Sequence, residues 1–227
     1  MKATISWMNI GYAAEFAVPL FDLVMKAPEL QQRIYTGVRA EYPFALQTAD
    51  MHVSPSGLQS ETGLRITMFG GNASVNLTPV RAALDFSNLN VREDVDTCKK
   101  CIDLITEALN KSCADLVIQT ETITSSLRLE AEGDAAGHLA SVAAANVRLN
   151  PAEFGATDDH PVISIEISNS AQKWRSSANV TVDTGAFLAF CQSRYDDRRS
   201  SVGDRIDAHL NLLSGVLTRV QVEGKAR

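Results

Sequence analysis

LRITMFGGNASVNL, residues 64–77, decides the fold class. Leu64, Ile66 and Met68 alternate with Arg65 and Thr67, which is the two-residue period of a half-buried strand. Gly70, Gly71 and Asn72 follow, and these residue types accept the positive φ angles of a tight hairpin. Val75 and Leu77 then resume the alternation. Two strands joined by so short a turn are antiparallel. The pattern extends in both directions. Ala49, Met51 and Val53 alternate before a Pro55-Ser56-Gly57 turn, and Leu84 and Phe86 continue after Pro79. Residues 49–86 therefore predict an antiparallel meander.

Segments of helical period flank this meander. A short strand is expected over residues 3–12, and then Pro28 opens a helix, since proline suits the first helical position. Leu30, Ile34 and Val38 give that helix one apolar face, and Pro43 closes it. After the meander, Asn90 with Glu93 three residues on reads as a capped helix start. Val95, Cys98, Cys101, Ile102, Ile105 and Leu109 share one face of this helix, which runs to about residue 111.

From Asp115 the order begins again. A β-prone run leads from Leu116 and Ile118 to Leu127 and Leu129, and an alanine-rich helix follows over about 134–146. Residues 150–161 form a loop. Ile163, Ile165 and Ile167 alternate as a strand, Asn169 and Ser170 turn the chain, and Trp174, Ala178, Val180 and Val182 give the next strand. Val202, Ile206, Leu210, Leu213, Leu217 and Val220 form the stripe of a last helix, and a loose tail is expected to hold Lys225 and Arg227. Residues 1–112 and 113–227 thus read as two similar α+β halves, as an internal duplication would give. The expected fold is α+β, with antiparallel meanders packed under long amphipathic helices in one compact body. A meander followed by a long helix is similar to the fold of SecB-type chaperones, a likeness of fold that carries no site.

Composition narrows the class of partner. The chain has 227 residues, 45% hydrophobic and 21% charged, enough to bury a core and unlike a disordered polypeptide. Its net charge of −6 gives no overall attraction to nucleic acid or anionic lipid. No apolar run reaches the ~18 residues that a membrane helix needs. Trp7, Asn9, Gly11 and Tyr12 interrupt the apolar N-terminus, unlike a signal peptide. The expectation is a cytoplasmic protein with reduced cysteines and silent sequons at Asn72, Asn76, Asn110 and Asn179.

Several residue groups are candidates for chemistry. Cys98 and Cys101 form a CxxC pair with Lys99 and Lys100 between them. A redox pair places its first thiol at a helix N-terminus, whereas these two sit inside a helical stripe, as core residues do. Cys113 and Cys191 make no second close pair, so no zinc site is expected. Asp158-Asp159-His160 lies in a loop, and His209 on the last helix has Asp204, Arg205 and Asp207 nearby. A His/Asp pair drawn from these would serve as a general base. Arg194, Arg198 and Arg199, interleaved with Asp196 and Asp197 and beside Tyr195, read as a loop of local ion pairs or as a nucleic-acid contact. The sequence has no G-x-S-x-G elbow, Walker A loop, G-x-G-x-x-G fingerprint or HExxH helix.

The favoured expectation is a non-enzymatic protein-binding, adaptor or assembly subunit, chaperone-like in mode, acting through a sheet edge or a helix groove. A protein partner or self-association is expected, with no cofactor, no metal and no membrane. A small hydrolase using His160, Asp159 or His209 is the first alternative. A nucleic-acid-associated accessory subunit using Arg194, Arg198 and Arg199, within a larger complex, is the second.

Overall fold

A computed structural model describes residues 1–54, 62–89, 92–113, 115–146, 162–171, 173–196 and 200–225. In chain order the elements are β1 (Lys2–Phe16), α1 (Ala27–Glu41), β2 (Met51–Ser54), β3 (Gly63–Met68), β4 (Ala73–Thr78), β5 (Arg81–Leu89) and α2 (Arg92–Ser112). They continue with β6 (Ile118–Ala131), α3 (Ala135–Asn146), β7 (Ile163–Asn169), β8 (Trp174–Asp183), β9 (Ala186–Tyr195), α4 (Val202–Arg219) and β10 (Glu223–Lys225). The fold is α+β, with meanders under helices. The Pro55-Ser56-Gly57 turn, the Asn90 cap and the 150–161 loop lie outside the described residues.

All strands belong to one sheet of order β2-β3-β4-β5-β1-β6-β9-β8-β7. Neighbours along this path are antiparallel, while the short β10 pairs parallel with Lys2–Thr4 of β1. The two meanders meet at β1 and β6, which pair from Ala3↔Ala131 to Phe16↔Ile118. Register shifts at Ile5/Trp7 and Glu15/Phe16 break this long ladder, and such bulges add twist.

Local chemistry explains most boundaries. Pro28 lies in the first turn of α1, whose buried residues are Ala27, Leu30, Ile34 and Val38. The β3–β4 turn takes Gly70 at φ 64° and Gly71 at φ 100°. Asp134 Oδ1 accepts from the Gly137 backbone N–H at 3.0 Å, and this caps α3. Ser201 and Asp204 form a reciprocal capping box at the start of α4.

Three expectations need correction. β1 runs four residues beyond the expected end at Tyr12. β9 was not expected at all, because Ala186, Phe187, Leu188 and Ala189 are apolar on both faces and hide the period of two. Its start is the β8–β9 turn, where Thr184 at φ 47° and Gly185 at φ 80° supply the two positive angles of a type I′ hairpin. The expected loose tail is instead tied down as β10, at least as far as Lys225.

The helices cover one sheet face and divide its buried side chains into two clusters. The first joins α1 and α2 to β3, β4, β5 and the later part of β1. The second joins α3 to β8, β9 and the end of β6. α4 bridges them: Ile206 belongs to the first cluster, and Leu213, Val216 and Leu217 to the second.

Gly63 begins β3 with no room for a side chain. A Cβ there would stand 2.0 Å from the Leu77 carbonyl oxygen of the neighbouring strand. Gly63→Ala should therefore force β3 and β4 apart and cost about 2 kcal/mol or more. Thermal unfolding should show a midpoint lower by at least about 4 °C.

Candidate functional site

Where α4 crosses from one apolar cluster to the other, it carries two buried polar residues, Arg205 and His209. Each anchors a separate polar group against the sheet. Together these groups form an enclosed seam under the helix.

The Arg205 group begins on the β1–β6 ladder. Tyr12 faces Ile123, so Glu121 is its diagonal neighbour on the same face, within reach of long side chains. The Tyr12 hydroxyl donates to Glu121 Oε1. Arg205 Nη2 stands 2.5 Å from Glu121 Oε2, a charge contact without hydrogen-bond alignment, and Arg205 Nε has no acceptor. Arg205 Nη1 donates to the Ser200 carbonyl, and its guanidinium lies 5.8 Å from the centre of the Tyr195 ring.

The His209 group is a chain of hydroxyls and one imidazole. His209 Nε2 lies 2.8 Å from Ser125 Oγ, and Nδ1 lies 2.7 Å from Ser193 Oγ. Ser193 Oγ lies in turn 2.7 Å from Ser176 Oγ. Hydroxyls both give and accept protons, so either neutral tautomer of the ring is satisfied. Burial lowers the His209 pKa to about 4, which keeps the ring neutral.

The His209 ring meets Ser125 and Ser193, with Cys191 Sγ 3.8 Å from Nδ1, and neither aspartate of its own helix. Asp204 is spent on the Ser201 cap, and Asp207 Oδ1 accepts from Lys99 Nζ at 2.6 Å, which ties α4 to α2. With His209 1% exposed and Ser193 0%, no substrate reaches the imidazole or this hydroxyl in this conformation. Asp158, Asp159 and His160 lie outside the described residues. Cys98 and Cys101 are free thiols inside the first cluster, and burial pushes both up to about 12. That is opposite to the lowering that a reactive pair needs. Among the described residues, no group of His, Cys, Asp or Glu is arranged to hold a metal ion.

Among the described residues, the other sheet face carries no helix. Arg194, expected in a loop, lies there on β9 directly opposite Arg175 of β8. Arg194 Nε donates to Asp196 Oδ1 at 3.2 Å, and Nη2 donates to Thr120 Oγ1 at 3.3 Å. Burial raises the Asp196 pKa, but the hydrogen bonds from Arg194 and Thr120 outweigh it and hold the carboxyl below its ordinary value. Arg198 and Arg199 lie outside the described residues. A cleft of about 620 Å³ opens at this point, with Glu15 and Glu166 set against Arg175 and Arg194.

Two apolar features remain on the surface. The first is a groove of about 720 Å³ beside α4, lined by Ile5, Met8, Leu127, Leu210, Leu213 and Leu217. The second is the outer strand β7. It pairs with β8 from Ile163↔Val180 to Asn169↔Trp174 without a bulge, and on its other side no described strand lies beside it. Ile163 and Ile165 lean on the second cluster, while Ile167 is 42% exposed and Val162 is 59% exposed. The alternation of β7 was visible in the sequence, but its place at the edge was not.

No family model matches the chain, and no curated protein matches it. Among solved structures it is similar to the TBP of Methanococcus jannaschii, with 12% identity and a TM-score of 0.34 over 97% of this chain and 99% of that one. It is also similar to the aminoacylhistidine dipeptidase of Vibrio alginolyticus, with 12% identity and a TM-score of 0.20 over 95% of this chain and 43% of that one. At these values neither likeness bears on the site.

The seam gives two predictions. Arg205→Met should cost about 3–5 kcal/mol in denaturant unfolding, because it strands the Glu121 carboxylate. Adding Glu121→Gln should recover a large part of that loss, and strictly additive losses would show that the two groups are not coupled. The second concerns pH. An unfolded histidine binds its proton near 6.5, whereas folded His209 does so near 4. Its contribution is therefore present in full above pH ~6.5 and is lost as pH falls towards 4, by about 3 kcal/mol. His209→Gln should flatten the stability profile in that window. An unchanged slope would trace the pH dependence to other groups.

Proposed function

We propose that this chain is a non-enzymatic binding or assembly protein, which takes up an extended segment of a protein partner along the β7 edge. The observation that carries this reading is the edge itself. β7 offers seven residues in unbroken register. An outer strand presents unpaired backbone N–H and C=O groups, a template for another strand. Proteins usually blunt such an edge with charge, proline or a bulge, and ISIEISN has the single charge of Glu166 with no proline and no bulge. Its isoleucines give a partner alternate side-chain contacts, while the backbone supplies the hydrogen bonds. The enclosure of His209 with its serines supports a binding role over a hydrolytic one.

The test is comparative capture from cells that express the protein. Ile163→Lys with Ile167→Lys places charge along the edge. Phe44→Lys serves as a control, since Phe44 is equally apolar and 95% exposed elsewhere. The edge variant should lose its captured partner by at least ~10-fold, while the control retains it. Equal capture by both variants would remove β7 from the interaction and end this reading.

A further inference from the structure

We infer that the partner which fits the β7 edge is a second copy of this chain, paired antiparallel about Ile165 so that one sheet runs through both molecules. This rests on the edge reading above and makes it specific. An edge strand that meets its own copy antiparallel must be compatible with its own reversed sequence. β7 meets that condition with Ile165 at the centre, where all three isoleucines pair with isoleucines. With Ile165 opposite Ile165, Ile163 faces Ile167 of the other copy, and Ser164 faces Glu166. The two-fold axis then stands perpendicular to the sheet, so both helix-covered faces lie on one side.

The side chains favour this register over its neighbour. Ile163, Ile165 and Ile167 pair with Val180, Ala178 and Ser176, whose side chains are buried on the helix side. Three isoleucines from each copy would meet there and cover the exposed Ile167. On the open face, each Ser164 hydroxyl would donate to a Glu166 carboxylate. Centring the pair one residue later would set Glu166 against Glu166, and like charges directly opposite are unfavourable. The opposite sheet edge is less suited, since β2 has only four residues.

The size of the contact sets its strength. A seven-residue strand pair falls short of the ~1,200 Å² buried in standard stable interfaces. The dimer should therefore be weak and concentration-dependent, with a Kd on the order of 10–100 µM.

Sedimentation velocity over a concentration series, joined to cysteine cross-linking, tests the inference. The wild-type chain should pass from monomer to dimer over that range, and Ile167→Lys should raise the Kd at least ~10-fold. Under mild oxidation Ile165→Cys should cross-link to itself, while Glu166→Cys should not. The native thiols are buried and leave the readout clean. Thermal unfolding of each variant confirms its fold, and Ile165→Cys is conservative enough to answer alone. Cross-linking through residue 166 instead of 165 would overturn the register. A dimer untouched by Ile167→Lys would move the contact to another surface. A wild-type monomer at several hundred micromolar would overturn self-pairing. In that case the binding role of the edge would still be judged separately, by the capture experiment.

Discussion

The β1–β6 ladder joins the two meanders, with the short β10 adding a second pairing to β1. On one side of it lie β5, β4, β3 and β2, and on the other β9, β8 and β7. Without it the chain would hold two smaller sheets, each with an extra raw edge. Its length follows from this task, since β1 and β6 have 15 and 14 residues and the outer strands are shorter. The bulges, one in β1 and one in β6, let so long a pair twist without losing the inward direction of Ile10, Tyr12 and Ala14.

A join between two cores leaves a gap that neither fills, and the polar seam sits there. A buried ion pair is weak support for stability, because removing two charges from water offsets most of their attraction. Its geometry does impose a constraint. Glu121 sits on the central ladder and Arg205 on α4, so the pair favours the one helix position at which the charges meet. The serines around His209 act alike from the other side, through β6, β8 and β9. An apolar filling would tolerate sliding of α4, whereas unpaired polar groups penalise it.

Much of the architecture was legible because its signals were local. Alternation found β3, β4, β7 and β8, and helical stripes found α1, α2 and α4, with Pro28 marking the start of α1. β9 was hidden because Phe187 and Ala189 face the core while Leu188 and Phe190 fill the open face, so no period remained. The seam was illegible for another reason. Tyr12, Glu121 and Arg205 are separated by more than a hundred and by about eighty residues of chain, and nothing in their neighbours announces that they meet. His209 was read as a candidate general base, and nothing in the chain around it announced Ser125, Ser193 and Cys191 as the side chains it meets. Of the three arginines read as one loop cluster, Arg194 proved to lie on a strand, opposite another arginine.

The unequal ends of the sheet carry the functional argument further than any single residue does. The first half has α1 packed on α2, with bulky Leu30, Ile34 and Val38 buried. In the second half α3 covers the sheet; half of its sequence is alanine, and its buried residues are Ala135, Leu139 and Val142. A slender helix covers less sheet, so the isoleucines of the outermost strand are left partly uncovered. Exposed apolar area of this kind costs free energy in an isolated molecule and is recovered when another strand and its side chains cover it. The alanine-rich composition of α3 and the exposed stripe of β7 are thus two sides of one arrangement. Among the described residues, no strand lies beyond β7 at this end of the sheet.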